Sequence, residues 1–303
     1  HGALPVAEAY DVFLGKMNGS GALLWATYFG GNHSDKVYGC ATDAGGNVYI
    51  CGETRSNDLP TDATSFQKNY SGSEDQFQYD AFLAKFSSTG VFQWTTYYGG
   101  AYLFEHGHAC ATDTEGNVLM AGRSSGGIGT TPEVFQTTNG GGGGDAFLAK
   151  FSANGERIWA TYLGGSDSDE ATACTTDPDG NIYVAGNTES ANFPVLLPFQ
   201  NTYGGGDFFG DEALAKFDKT GTLLWSTYYG GDDGEDGTSC TIDMTGNVYI
   251  AGRTRSLNGI AFNGFLDDRG PYQRGFVVKF NPGGRGIWGS YIGGDFAEVV
   301  KNV

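Results

Sequence analysis

Residues 223–231 read LLWSTYYGG, a strand-like apolar run that stops on two glycines. Near-copies stand at LLWATYFGG (23–31), FQWTTYYGG (92–100), RIWATYLGG (157–165) and GIWGSYIGG (286–294). Aligning the chain on Trp25, Trp94, Trp159, Trp225 and Trp288 gives spacings of 69, 65, 66 and 63 residues, the size of a supersecondary repeat.

Working outward from this phrase, each unit contains three more. One is short, polar and ends in Asp: YGCATD, HACATD, TACTTD, TSCTID. The next reads GNVYICG, GNVLMAG, GNIYVAG, GNVYIAG, and the third DVFLGKM, DAFLAKF, DAFLAKF, DEALAKF, RGFVVKF. Short runs rich in aromatic and β-branched residues, bounded by Gly and Asn, predict strands. No stretch carries a sustained helical period. Asp43 to Gly46, Asp113 to Gly116, Asp177 to Gly180 and Asp243 to Gly246 place Asp first and Gly fourth, the preference of a type I turn, and Pro178 sits where its fixed φ fits. The first two strands of each unit are therefore a hairpin.

Four antiparallel strands every 65 or so residues predict an all-β chain, a β-propeller of four-stranded blades. A solenoid is the rival, but its repeats are usually shorter and need polar capping units. The combined pattern DAFLAKF, LLWSTYYGG, GNVYIAG, with Phe66-Gln67, Phe135-Gln136, Phe199-Gln200 and Phe193-Pro194 in the loops, resembles the SBBP-type bacterial β-propeller repeat family over residues 11–303. That resemblance implies a propeller in secreted or surface proteins of bacteria and implies no chemistry.

The repeats fall at 37–99, 105–164, 170–230 and 236–292, and the leftovers suggest a fifth blade. Residues 1–31 supply its outer strands, 295–303 its inner strand, and 3–9 a candidate for the missing one. Five blades closed by both termini in a single domain, 1–303, is the expectation. The alternatives are a strand supplied by a neighbouring subunit, since an unpaired edge accepts one, or a piece of a larger propeller.

Composition narrows the function. Hydrophobic residues form 39% of the chain and aromatics 14%, enough for a core despite 51 glycines. A formal charge of −18 argues against nucleic acid, whose phosphates need clustered Lys and Arg. No apolar run approaches the roughly 20 residues of a membrane-spanning helix. The chain begins at His1 and is read as processed or a fragment, and secretion or surface display in a bacterium, the expected localisation, is what the family resemblance implies.

Candidate sites belong on the loop face, where the copies differ most. Acidic residues follow each Gly-Gly: Asp35; Glu105; Asp167, Asp169 and Glu170; Asp232, Asp233, Glu235 and Asp236; Asp295 and Glu298. Carboxylates in Gly-rich loops suit Ca²⁺, which takes six to eight oxygens in irregular geometry, so Asp167, Asp169, Asp232, Asp233 and Asp236 are the candidate calcium ligands. Solvated acidic loops without an ion are the plainer reading. Phe77, Tyr203, Phe208, Phe209 and Tyr272 are candidate partner-binding aromatics, suited to stacking on sugars or anchoring a protein, against the plainer role of covering blade edges.

Cys40, Cys110, Cys174 and Cys240 share one slot and read as small buried hydrophobes, too far apart for disulfides; Cys51 faces a hairpin partner in Cys40. His106 and His108 share a strand face and read as surface polar residues, with a metal as the sharper alternative. Lys16, Lys85, Lys150, Lys216 and Lys279 recur at one place and read as structural stems paired to acids. No Gly-x-Ser-x-Gly elbow is present, and acidic residues alone neither support nor dismiss a glycosidase. The leading expectation is a non-catalytic interaction or adhesion module that binds a surface protein or glycan without a cofactor beyond candidate Ca²⁺. The alternatives are a structural subunit joined to copies of itself through blade-completing termini, and a glycan-active enzyme.

Overall fold

The computed structural model describes residues 10–72, 78–101, 104–206, 210–267, 273–294 and 300. Eighteen strands and no helix are present among them. A two-stranded sheet comes first, β1 (Val12–Met17) and β2 (Leu23–Phe29). Four four-stranded sheets follow. The first holds β3 (Asp35–Thr42), β4 (Val48–Thr54), β5 (Asp80–Phe86) and β6 (Phe92–Tyr98), and the second β7 (Glu105–Thr112), β8 (Val118–Ser124), β9 (Asp145–Phe151) and β10 (Arg157–Leu163). The third holds β11 (Asp169–Thr176), β12 (Ile182–Thr188), β13 (Asp211–Phe217) and β14 (Leu223–Tyr229), and the fourth β15 (Glu235–Ile242), β16 (Val248–Thr254), β17 (Arg274–Phe280) and β18 (Gly286–Ile292). Every sheet is an antiparallel meander in chain order.

The hairpin turns form as their residues dictate. The Gly46 amide donates to Asp43 O at 2.9 Å, and the Asp43 carboxylate accepts from the Asn47 backbone (2.9 Å) and side-chain amide (2.8 Å). Gly46 has φ of 76°, a left-handed conformation that favours glycine. Asp113, Asp177 and Asp243 repeat the bonds to the Gly and Asn that follow.

The Trp of the repeated phrase fastens one sheet to the next. Lys85 and Trp94 are cross-strand partners, and both donate to Ala153 O in the following sheet's turn, at 2.9 and 3.0 Å. Lys150 and Trp159 meet on Lys219 O, and Lys216 and Trp225 on Pro282 O. The indole lies flat on the glycine that ends that turn: a Cβ on Gly155 would come within 3.0 Å of the Trp94 ring. Three of these lysines also pair with an acid as expected, Lys150 with Asp113 (2.9 Å), Lys216 with Asp177 (3.5 Å) and Lys279 with Asp243 (3.3 Å), whereas the bonds of Lys16 and Lys85 among the described residues are to carbonyls. Behind each anchor the sheets interdigitate as a dry core, for example Tyr98 against Phe147 and Tyr229 against Phe276.

The Gly-Gly, Phe-Gln and Asp motifs form one hydrogen-bond network. In the second sheet Gln136 donates to Asp145 (3.0 Å) and accepts from the Gly164 amide (3.1 Å), while the Gly165 amide donates to Asp169 (2.7 Å). A Cβ on Gly164 would stand 2.6 Å from Cγ of Asp145 and 2.7 Å from Oδ2 of Asp169, which is why glycine is there. Gln67, Asp80, Gly99 and Glu105 repeat the arrangement, as do Gln200, Asp211, Gly230 and Glu235. The inner-strand acids Asp35, Glu105, Asp169 and Glu235 are therefore buried, not solvated loop residues as the sequence suggested, because backbone amides and Ser or Thr hydroxyls replace water around them.

Both ends continue the pattern. Trp25 donates to Ser88 O (3.1 Å), so β1 and β2 stand to the first sheet as each sheet stands to the next. At the other end Thr238 Oγ1 donates to Val300 O as Thr172 does to Gly237 O, so Val300 occupies the inner-strand slot one repeat further on. The expected pairing of the termini falls on residues 1–9 and 295–303, which, Val300 apart, lie outside the described residues.

Candidate binding site

The inner strands β3, β7, β11 and β15 line a channel. Each carries a register irregularity against its hairpin partner at the same place, between Val37 and Gly39, Gly107 and Ala109, Ala171 and Ala173, and Gly237 and Ser239. The residue skipped in each ladder is Tyr38, His108, Thr172 or Thr238, and all four line a cavity of about 230 Å³ with the cysteines Cys40, Cys110, Cys174 and Cys240. A β-bulge re-aims a side chain in this way.

The bulge also corrects the hairpin reading of the cysteines. Cys40 stands opposite Ile50, and Cys51 opposite Gly39, so the two do not face each other. All five cysteines are free. Cys110 lies instead beside the Cys51 strand, its Sγ 3.8 Å from Tyr49 O, and burial holds the Cys174 and Cys240 thiols well above their ordinary range.

Above the cysteines, at the loop-side mouth, the copies stop agreeing. One position holds Lys36, His106, Glu170 and Asp236, and its ladder partner holds Glu53, Arg123, Asn187 and Arg253. These groups bridge sheets. Glu53 of the first sheet accepts from Lys36 at 2.7 Å and from Nδ1 of His106 in the second. Burial alone would raise the Glu53 pKa, but the bonds from His106 and Lys36 outweigh it and hold the carboxyl at about 2. His108 reaches the other way, Nδ1 to Oε1 of Glu170 at 2.8 Å, and that bond brings Glu170 below its ordinary value against the opposing effect of burial. The two imidazoles stack with centroids 5.7 Å apart. With Nδ1 of each on a carboxylate, Nε2 is left as the second hydrogen-bonding atom.

Beside His106 a cavity of about 130 Å³ is lined by Phe104, Arg123, Ser125 and Gly143. Arg123 donates from Nη2 to Gly143 O at 2.8 Å, while its buried Nε has no partner among the described residues. Tyr79 closes the neighbouring edge, with Lys36 5.7 Å and Arg55 5.8 Å from its ring centre and His106 and Phe104 against it. Donors, imidazoles and an aromatic wall thus converge between the first two sheets. A larger cavity of about 410 Å³ beside Trp94 and Lys85 offers less, because the polar atoms of both are engaged with Ala153 O.

Across the mouth, Asp236 pairs with Arg253 (2.6 Å) and Asn187 (3.2 Å). Glu212, where other copies have Ala81 and Ala146, is fully buried with both carboxyl oxygens unpartnered among the described residues, and Gly237 makes room for it. Burial, then the nearby Asp236 and Glu235, push its pKa well above the ordinary value.

The candidate calcium ligands are not gathered. Asp169 is buried on the Gly165 amide and Ser190; Asp232 accepts from Leu257 and Asn258; Asp233 accepts from the Gly234 amide; Asp236 is paired to Arg253; Asp167 is exposed. Among the described residues no group of three or more His, Cys, Asp and Glu side chains is placed to hold a metal ion. Of the candidate aromatics, Tyr203 packs on Tyr228 in the third sheet's core. Phe77, Phe208, Phe209 and Tyr272 lie outside the described residues. The mouth residues were missed as a group; the signal available was one repeat slot holding a different ionisable residue in each copy.

An all-β chain of repeated four-stranded meanders joined side by side around a channel is a propeller-like repeat protein. The SBBP family model, described as a beta-propeller repeat, matches residues 24–60 and 158–194, so the chain carries that repeat in these two segments. Each match runs from the outer strand of one sheet through the inner hairpin of the next. No curated protein matches the chain. Among solved structures, a protein of unknown function from Dyadobacter fermentans aligns with 86% of this chain and 70% of its own at 12% identity, with a TM-score of 0.40. No helix among the described residues is long and apolar enough to cross a membrane.

Proposed function

We propose that the chain is a non-catalytic, secreted or surface-displayed bacterial propeller of five blades, whose fifth blade is built from β1, β2 and the C-terminal segment. It binds a surface protein or glycan at the channel mouth, through a carboxylate-bearing group seated between His106 and Arg123. The carrying observation is the buried Nε of Arg123, without a partner among the described residues, in a cavity walled by His106 and Phe104. An unpaired buried donor of this kind costs about 1–3 kcal/mol, which an acceptor from a ligand recovers. Carboxylate is the group a guanidinium takes best. The chain's negative charge is screened within about 8 Å at physiological salt, so these short-range donors decide the contact. The non-catalytic reading is supported by the close carboxylate pairs, such as Asp145 and Asp169, which lie sealed behind Gly164 where no sugar reaches them.

The test is an array of acidic and neutral glycans, run beside a bacterial surface extract, with the wild type and Arg123→Ala. Hits confined to carboxylate-bearing ligands and lost in the variant, with an unchanged Tm, are expected. Equal binding by the variant, or hits indifferent to the carboxylate, overturns the assignment.

A further inference from the structure

The two ends of the array expose the two halves of a junction that the molecule makes repeatedly inside itself. On the incoming face of β1 and β2, Phe13, Met17 and Tyr28 are 64%, 65% and 76% exposed, whereas their counterparts Phe82, Phe86 and Tyr97 in the first sheet are 0%, 2% and 0%. The second, third and fourth sheets bury the same positions, with Phe147, Phe151 and Tyr162, Phe217 and Tyr228, and Phe276, Phe280 and Tyr291. What covers them there is the outgoing face of the preceding sheet, as Tyr98 covers Phe147 and Phe151.

The outgoing face of the fourth sheet is open in a complementary way. Lys279 and Trp288 are the cross-strand pair that should donate to a turn carbonyl of a following sheet. Lys279 keeps the bond to its hairpin Asp243, as Lys150 keeps Asp113, but neither Lys279 nor Trp288 donates to a turn carbonyl among the described residues. The repeat-equivalent carbonyl is Gly19 O, in the turn between β1 and β2, and the repeat-equivalent ring for Ile292 to cover is Phe13. Among the described residues of one copy, the face of β1 and β2 is uncovered and the outgoing face of the fourth sheet meets only Val300, over Gly275.

We infer that the fourth sheet of one copy docks on β1 and β2 of a second copy, with Trp288 and Lys279 donating to Gly19 O and Ile292 covering Phe13 and Met17. This rests on the fifth-blade reading above and adds that the two halves of that blade come from different chains. The contact is heterologous, one end on the other end of the next copy, so it closes a multi-copy ring or extends a filament. Three large exposed apolar side chains in one patch on a sheet face are the mark of such an interface.

A photo-crosslinking phenylalanine at position 28 tests both parts, with isotope-labelled and unlabelled full-length chains mixed in equal amounts. Crosslinks onto 286–292, half of them between labelled and unlabelled chains, are expected. Crosslinks onto 286–292 without mixing overturn the second copy while leaving the fifth blade intact; crosslinks elsewhere, or none, overturn the fifth-blade junction itself. Light scattering with Phe13→Asp and Ile292→Asp gives an independent reading. Each variant alone is expected to be a monomer, and their mixture a dimer that grows no further, because one good face of each kind remains. A mixture that stays monomeric, or a wild type monomeric at high concentration, refutes the proposal. Phe13 is exposed in the free chain, so its variant folds.

Discussion

Replacing Glu235 with Gln should make the chain more stable at alkaline pH. Glu235 is fully buried at the start of β15, accepting from Thr254 at 2.6 Å and from the Gly231 amide at 3.1 Å. Burial is the main cause that raises its pKa from 4.5 to about 8, and the Asp211 charge adds to it. The folded chain therefore holds this proton more tightly than the unfolded chain. The stability it contributes is full below pH 4.5 and is lost as pH rises toward 8. At 1.36 kcal/mol per pH interval crossed, the loss is on the order of 2–5 kcal/mol, the upper figure holding only if the site stays dry when ionised. Glutamine resembles the protonated acid: it is neutral and keeps one acceptor. Urea unfolding at pH 5, 6, 7 and 8 should find the variant within about 1 kcal/mol of wild type at pH 5 and increasingly more stable above pH 6. A difference that does not change with pH, or a variant weakened equally at pH 8, refutes the reasoning. Glu105, also raised to about 8 by burial and by Asp80, should behave alike.

Gly164→Ala should cost about 3 kcal/mol, because its Cβ meets two anchored carboxyls, whereas Gly19→Ala, with nothing within 4 Å, should stay within about 0.5 kcal/mol; equal effects in chemical denaturation would remove the steric reason for the Gly-Gly motif. A chelator should leave Tm unchanged, since Asp169, Asp232, Asp233 and Asp236 already have protein partners; a fall of several degrees would reveal a calcium site. Arg123→Ala should abolish ligand capture without lowering Tm.

The architecture was readable because its causes are local and repeated. Trp, Gly-Gly, the Asp-to-Gly turns and the Lys of the third strand recur at fixed spacing, and Trp and Lys make the same turn-carbonyl contact at four successive junctions, from β1 and β2 through the third sheet. What was not readable depends on neighbours. Asp169 and Glu235 look like solvated loop acids until Gln136, Gln200 and the glycine amides are brought around the sites. Cys40 and Cys51 look opposed until a single extra residue shifts the ladder. His106 and His108 look like ordinary surface polar residues because their carboxylates, Glu53 and Glu170, come from two different sheets. The fifth blade we propose is half legible: β1 and β2 carry the full motif of its outer strands, while its junction depends on which chain supplies the partner face.

The indole N–H signals of the five tryptophans test the repeated anchor and the open ends together. Trp25, Trp94, Trp159 and Trp225 each donate to a turn carbonyl at 3.0 to 3.2 Å, and Trp288 donates to none among the described residues. In ¹⁵N NMR of dilute chain, four indoles should exchange slowly with solvent and Trp288 quickly, becoming protected only as concentration rises. Protection of Trp288 equal to the others in a dilute monomer would mean that the array closes on itself, and would contradict the account.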